Sequence, residues 1–340
     1  MTDRSVALCL TVLNEAESVD ELFASIAGQT RPPDRIVVVD GGSTDGTVER
    51  IEGWRERGLP ITLLVCSGAN ISTGRNRAIA QADTDLIAVT DAGVRLDEGW
   101  LAQLLDPFER ADRPDVVAGF FAALPDPGSP FQIALGATTL PELADIRPET
   151  FLPSSRSVAF TRAAWERVRG YPEWLDYCED LVFDLALKAA GFRFAWTPRA
   201  RVYFRPRPTP RAFFVQYYRY ARGDGKADLW RRRHTVRYAT YLGLPIALWL
   251  VRRHRWMLAP LGLAATGYVR RPYERALGTG TTLPLGGRVA MFAWVPVIRL
   301  IGDCAKMLGY PVGVAWRWRR STALTQRSSA TSTLSQRGRE

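Results

Sequence analysis

Val37-Val38-Val39-Asp40-Gly41-Gly42-Ser43-Thr44-Asp45-Gly46-Thr47 is the stretch on which the fold turns. Three β-branched residues after Ile36 read as a strand buried on both faces, and an acidic residue ends it. The turn that follows supplies N-cap residues for a helix running to Arg57. A second unit of the same form lies downstream, where Leu86-Ile87-Ala88-Val89-Thr90 is apolar and stops at Asp91. Working outward, Ser5 to Thr11, Ile61 to Val65 and Val116 to Ala123 read as further strands. Glu17 to Ala27, Thr73 to Gln81 and Trp100 to Arg110 read as helices between them. Strands alternating with helical patterns predict an α/β domain built on a mostly parallel sheet with flanking helices. Asp40 and Asp91 then stand at carboxyl ends of strands, the edge where open α/β sheets bind ligands. A strand-end Asp also serves as a turn or cap residue, and Asp45 is read that way.

Four segments follow one another in order: Thr11-Val12-Leu13-Asn14-Glu15, the Val37–Thr47 stretch, Gly74-Arg75-Asn76, and Cys178-Glu179-Asp180-Leu181. Together they resemble the family 2 glycosyltransferases of the GT-A fold, with their V-D-D-G-S-T-D-G-T, A-R-N and E-D motifs. The resemblance covers residues 5 to 226 and implies a Rossmann-like GT-A domain. It also implies transfer of a sugar from a nucleotide-sugar donor to an acceptor hydroxyl, with inversion; the membrane proximity read below points to cell-surface or lipid-linked saccharide synthesis. By the same resemblance Asp40, Thr11 and Leu13 contact the nucleotide, Arg75 stands near the base or the phosphates, and Asp180 is the general base beside Glu179. The chemistry suits these residue types. A short carboxylate accepts hydrogen bonds from a base imide or a ribose hydroxyl. A forked guanidinium matches a phosphate, and a placed carboxylate can take a proton from the attacking hydroxyl. Acids in the first turn of a helix are also ordinary partners of its dipole.

The family's D-x-D motif binds a divalent cation, and here Asp91-Ala92-Gly93 lacks the second carboxylate. Magnesium needs only one or two protein carboxylates beside phosphates and water, so Mg2+ or Mn2+ held by Asp91 stays expected. The missing acid raises one alternative, a catalytically impaired GT-A-like protein that binds membranes or polyanions. Gln216-Tyr217-Tyr218-Arg219-Tyr220 is similar to the Q-x-x-R-W motif of processive members, with Tyr220 in place of Trp. Arg219 then clamps the donor diphosphate or the acceptor, or else belongs to an amphipathic helix with solvated arginines.

Composition narrows the setting. A hydrophobic content of 46% in 340 residues excludes wholesale disorder. The net charge of +10 is concentrated between Arg199 and Arg275, with 18 Lys or Arg against three acids. Such a band attracts anionic lipid or pyrophosphate. Nucleic acid is not an expected partner, because the arginines interleave with apolar helices. Four scattered cysteines and two histidines argue against a zinc site and for a reducing compartment. No secretory signal is read in Met1 to Leu10, and no G-x-G-x-x-G follows the first strand, which leaves a dehydrogenase unsupported.

The catalytic domain is read as residues 1–230, with 124–153 a Pro- and Gly-rich loop. Residues 231–320 are read as a membrane-associated helical region on the cytoplasmic face. Tyr238 to Val251 and Trp256 to Val269 are each 14 residues, about 21 Å as helices against a span of about 30 Å. Arg252-Arg253-His254-Arg255 separates them, so 238–269 reads as an interfacial or re-entrant hairpin, with two true spans as the alternative. Residues 289–318 read as an amphipathic helix lying along the membrane. Residues 321–340 are almost free of apolar side chains and read as a disordered tail.

Overall fold

β1 (Val6–Val12) is the centre of the first unit, and its side chains alternate between two cores. Val6, Leu8, Leu10 and Val12 point to one face, while Ala7 and Cys9 point to the other. That period of two, apolar on both sides, is what a strand covered by helices above and below requires. The computed structural model describes residues 4–279 and 283–337. It divides the chain into two units, Met1–Pro206 and Arg207–Glu340.

In the first unit β1 is flanked by β2 (Arg35–Asp40) and β4 (Leu86–Val89), and β3 (Ile61–Val65) lies outside β2. All three of these pairings are parallel. The sheet continues through β7 (Val158–Thr161), β6 (Val116–Ala123) and β8 (Phe194–Phe204) to β5 (Val94–Leu96), in the order β3-β2-β1-β4-β7-β6-β8-β5. β7 is antiparallel to β4 and β6, and β5 is antiparallel to β8, so two of the eight strands run against the rest. One face is covered by α1 (Val19–Ala27), α2 (Thr47–Glu56) and α4 (Trp100–Leu105). The other is covered by α3 (Ile71–Gln81), α6 (Arg162–Arg167) and α7 (Glu179–Ala189).

The strands β1 to β4 and their helices follow the sequence expectation to within a few residues. Three short or broken strands, β5, β7 and β8, do not. β5 has three residues, too few for periodicity to register. β8 skips from Trp196 to Arg201 against the Ala118–Phe120 step of β6. Pro198, which has no amide hydrogen to give to a ladder, sits inside that irregularity. The segment read as a loop over 124–153 contains α5 (Pro130–Thr139). Ser129 caps it by accepting the Gln132 amide hydrogen at 3.3 Å, Pro130 opens its first turn, and Phe131, Ile133, Ala134 and Leu135 are buried.

The second unit is helical: α8 (Pro210–Ala227), α9 (Arg231–Arg253), α10 (Leu258–Thr279) and α11 (Leu285–Arg337). α8 therefore belongs with the later helices, although a boundary drawn at residue 230 from sequence puts it in the catalytic domain. α8 and α11 touch backbone to backbone. A Cβ at Gly309 would collide with the Tyr218 carbonyl, one at Gly313 with the Arg222 carbonyl, and one at Gly225 with the Tyr310 carbonyl. Asp303 of α11 is buried where three helices meet. Its Oδ1 accepts from Arg237 Nε at 2.7 Å, and its Oδ2 accepts from the Tyr241 hydroxyl at 3.0 Å and from the Tyr268 hydroxyl. The two apolar segments read as a hairpin lie in α9 and α10, and the amphipathic helix lies in α11. Among the described residues one stretch, Leu285–Arg320, is long and apolar enough to cross a membrane. The α11 backbone continues to Arg337, so the segment read as a disordered tail begins inside a helix. No proline or glycine interrupts 321–337. Residues 338–340 of that tail lie outside the described residues.

Candidate active site

The loops after β1 and β2 are knitted into one piece, and Asp40 is the knot. Its Oδ1 accepts the amide hydrogens of Gly42 and Ser43, both at 2.8 Å, and its Oδ2 accepts the Ser43 hydroxyl at 2.5 Å. Ser43 Oγ in turn accepts the Asn14 amide hydrogen at 2.8 Å, and Asn14 Oδ1 accepts that of Thr44 at 2.9 Å. Asp40 is fully buried. Its carboxylate is therefore spent on the shape of the turn, and Gly41 stands where the family signature has its second acid. Leu13 is exposed at the mouth of this loop pair. Thr11 is half-buried beneath α3, where a Cβ at Gly74 would come within 2.5 Å of its methyl group, so helix and strand pack at a separation only glycine allows. Asp45 is structural, although the N-cap position of α2 is Gly46: its Oδ2 accepts the Ala16 amide hydrogen at 3.0 Å, and its Oδ1 accepts the Thr47 amide hydrogen at 3.1 Å and the Thr47 hydroxyl at 2.5 Å.

Arg75, on α3, ties the remaining acids together. Its Nη2 donates to Asp91 Oδ1 at 2.5 Å and its Nη1 to Glu179 Oε1 at 2.6 Å. The guanidinium is 1% exposed and lies over the Tyr171 ring at 5.3 Å. Arg75 was expected near the base or the phosphates. Here it is an internal clamp between the end of β4 and the start of α7. Asp91 also faces Arg156, whose Nε is 3.6 Å from Oδ2. Nothing in the sequence marked Arg156; the residue precedes the short antiparallel β7, and its carbonyl accepts the Thr90 hydroxyl at 2.8 Å.

Glu179 and Asp180 form the first turn of α7 behind Cys178, whose φ of 64° turns the chain sharply into the helix. Burial pushes the Glu179 carboxyl above the ordinary carboxylate range; Arg75 lowers it in part, and the neighbouring Asp180 raises it further. One turn on, burial and Asp180 hold Asp184 well above that range, and its Oδ2 is buried without a hydrogen bond. Asp180 itself is half-buried and makes no ion pair among the described residues.

The approach to α7 is held by α3. Asn76 Nδ2 donates to the Tyr171 carbonyl at 2.9 Å, while its Oδ1 accepts the Tyr171 amide at 2.8 Å and Trp165 Nε1 at 3.2 Å. Ser72 Oγ donates to the Leu175 carbonyl at 3.0 Å. The Gly-Arg-Asn motif therefore does two jobs from adjacent positions: Arg75 sets the acids, and Asn76 sets the loop that delivers them. Arg219, the last expected donor contact, is exposed on α8 of the helical unit.

A divalent cation must be judged on this donor set. Asp91 is 23% exposed on its side chain, with one oxygen against Arg75 and the other near Arg156. Among the described residues no group of three or more His, Cys, Asp or Glu could hold a metal ion. The residues fit a cation that takes one or two protein carboxylates and completes its shell with donor phosphates and water.

Residues 7–158 match the family model described as "Glycosyl transferase family 2". The chain is 26% identical over 314 residues to "Succinoglycan biosynthesis protein ExoA" of Rhizobium meliloti (strain 1021), covering 85% of this chain and 88% of that protein. It is 24% identical over 213 residues to "O-antigen chain rhamnosyltransferase WbaN" of Salmonella anatum, covering 58% of this chain and 65% of that protein. Its fold is similar to that of a mannosyltransferase from Pyrobaculum calidifontis solved with GDP-Man and Mn2+. That likeness has a TM-score of 0.53 and 18% sequence identity, covers 93% of this chain and 87% of that one, and bears on fold alone.

Proposed function

We propose that this chain, whose residues 7–158 match the family 2 glycosyltransferase model, transfers a sugar from a nucleoside diphosphate donor to an acceptor hydroxyl with Asp180 as general base. One observation carries the assignment of the base. Glu179 is locked to Arg75 at 2.6 Å, whereas Asp180 makes no ion pair among the described residues; its Oδ1 accepts the Leu181 amide hydrogen at 2.8 Å, and its Oδ2 is left for a substrate.

In the proposed reaction Asp180 takes the proton of the acceptor hydroxyl as that oxygen bonds to the anomeric carbon. The bond from that carbon to the donor oxygen breaks, its electron pair leaves with the nucleoside diphosphate, and the configuration inverts. The exposed Leu13 and the turn shaped by Asp40 form the nucleotide side, with Thr11 beneath. Arg75 holds Asp91 and Glu179 at a fixed separation, so the donor side and the base side are set by one guanidinium. A divalent cation, Mg2+ or Mn2+, supplies positive charge to the departing diphosphate when bound, and Asp91 is the residue to hold it.

We assign the acceptor to cell-surface or lipid-linked saccharides, and the helical unit to the cytoplasmic face of a membrane. Support comes from Leu242, Ile246, Trp249, Trp256 and Leu263, exposed on or between α9 and α10 and interleaved with Arg252, Arg253 and Arg255. All four cysteines are free, which suits a reducing compartment.

A thermal-shift panel of nucleotide sugars, each with and without Mn2+, identifies the donor as the compound that raises the melting temperature. Transfer from that donor is then measured with Asp180→Asn. Loss of turnover by a factor of about 10²–10⁴ with donor binding retained is the expected result. Turnover that survives the change refutes the base assignment, and absence of any donor binding refutes the enzyme reading in favour of an impaired, polyanion-binding relative. Release of the intact protein from membranes by high salt alone would rule out apolar insertion.

A further inference from the structure

Building on the proposed donor site, we infer that Glu15 supplies the carboxylate that Gly93 lacks, giving the divalent cation a second protein ligand beside Asp91. The family's motif places its second acid two residues after the first, and Gly93 occupies that position with φ of +73°. A Cβ built there would lie 3.5 Å from Glu15 Oε2 and 3.8 Å from Ser18 Oγ. The space next to the absent side chain is thus already bordered by a carboxylate, brought from the loop after β1. β1 and β4 are adjacent parallel strands, so the loops at their carboxyl ends are neighbours.

Glu15 is held in place for the task. Its amide donates to Thr47 Oγ1 at 2.8 Å, and Thr47 is fixed in turn by its 2.5 Å hydroxyl bond to Asp45. Its Oε2 accepts the Ser18 hydroxyl at 2.6 Å. Among the described residues Glu15 makes no ion pair, and its Oε1 has no hydrogen bond. Asp91 differs in this respect, because Arg75 and Arg156 both draw on its charge. A cation bound by Asp91 alone would compete with two guanidiniums for one carboxylate, and an acid unclaimed by any arginine restores the deficit. Two carboxylates leave the remaining positions of a six-coordinate ion to donor phosphates and water.

The test counts free Mn2+ by its electron paramagnetic resonance signal, in titrations of wild type, Glu15→Gln and the double variant Glu15→Gln with Gly93→Asp. UDP or GDP is present, whichever the wild type binds. Outer-shell changes already cost about tenfold or more in metal affinity, so Glu15→Gln is expected to weaken Mn2+ at least that much while nucleotide affinity in EDTA is unchanged. Asp tolerates the left-handed backbone region better than most residues, so Gly93→Asp is expected to recover most of the loss. Equal Mn2+ affinity in wild type and Glu15→Gln overturns the inference, as does a wild type that binds nucleotide but no Mn2+. A wild type that binds neither nucleotide nor Mn2+ refutes the transferase reading itself, and Glu15 falls with it. Melting curves of the variants in EDTA separate misfolding from ligand loss, and a folded Glu15→Gln that fails in Mn2+ and is rescued by Gly93→Asp supports the assignment.

Discussion

Replacing Arg75 with Met removes a buried cation from between two acids and leaves its volume largely filled. Arg75 is 1% exposed, Glu179 8% and Asp91 23%, so solvent cannot take over the work of the guanidinium at Glu179. Breaking a buried pair by removing one partner costs about 3–5 kcal/mol, because the other charge is stranded. The two losses do not add. Glu179 is already displaced upward by burial, and without Arg75 it escapes the penalty by binding a proton. A total of about 3–5 kcal/mol at pH 7.5 is therefore expected, and at about 2–4 °C per kcal/mol for a unit of this size the melting temperature falls by about 6–20 °C. The pH dependence carries the sharper information. A carboxyl whose folded-state value rises further holds more protons than in the unfolded chain, so stability declines as pH increases above the unfolded glutamate value of about 4.3. The deficit of Arg75→Met relative to wild type should be smallest near pH 4 and widen towards neutrality, read by calorimetry across that range. Adding Glu179→Gln should recover part of the loss, with a coupling of about 1–3 kcal/mol in the double-mutant cycle. A deficit under about 1 kcal/mol, or one flat with pH, would contradict the clamp.

Asp184→Asn keeps the shape of a buried carboxyl held well above its ordinary range and removes its charge. The variant should gain stability over wild type between pH 5 and pH 8, because only wild type pays for ionisation as pH rises; equal melting temperatures at both pH values would argue against it. Asn76→Ala removes the bonds that hold Tyr171, in the loop before α7, and Trp165 of α6. A loss of about 1–3 kcal/mol is expected, with turnover falling more than donor affinity. Gly313→Val drives side-chain atoms into the Arg222 carbonyl. It should destabilise the helical unit, seen as faster proteolysis within 207–320, while a Gly262→Ala control, where a Cβ meets nothing within 4 Å, does not speed proteolysis.

The parallel half of the sheet was legible because β1, β2 and β4 are apolar on both faces and end in polar turns. The antiparallel half was not: β7 has four residues, and β8 is broken around Pro198. At the site, residue identities carried over better than roles. Arg75 reads from sequence as a cation beside a ligand, yet its partners are acids 16 and 104 residues away, a relation no local pattern encodes. Asp40 sits at a strand end, as expected, but its oxygens are taken by Gly42 and Ser43, only two and three residues on. Glu15 looked like a loop residue, and its proximity to Gly93 emerges only when neighbouring strands bring their ends together.

Asp303 cannot be exchanged alone. Asn in its place would leave Arg237, Tyr241 and Tyr268 with a weaker acceptor for three donors, and Leu would leave them with none. Changing all four positions to well-packed apolar residues could be neutral or better for stability, as it is for other buried ionic clusters. Single steps towards that arrangement pass through a stranded guanidinium or a stranded carboxylate. In lineages descended from this chain the four positions should change together or persist together, and α9, α10 and α11 keep their mutual register as long as they persist.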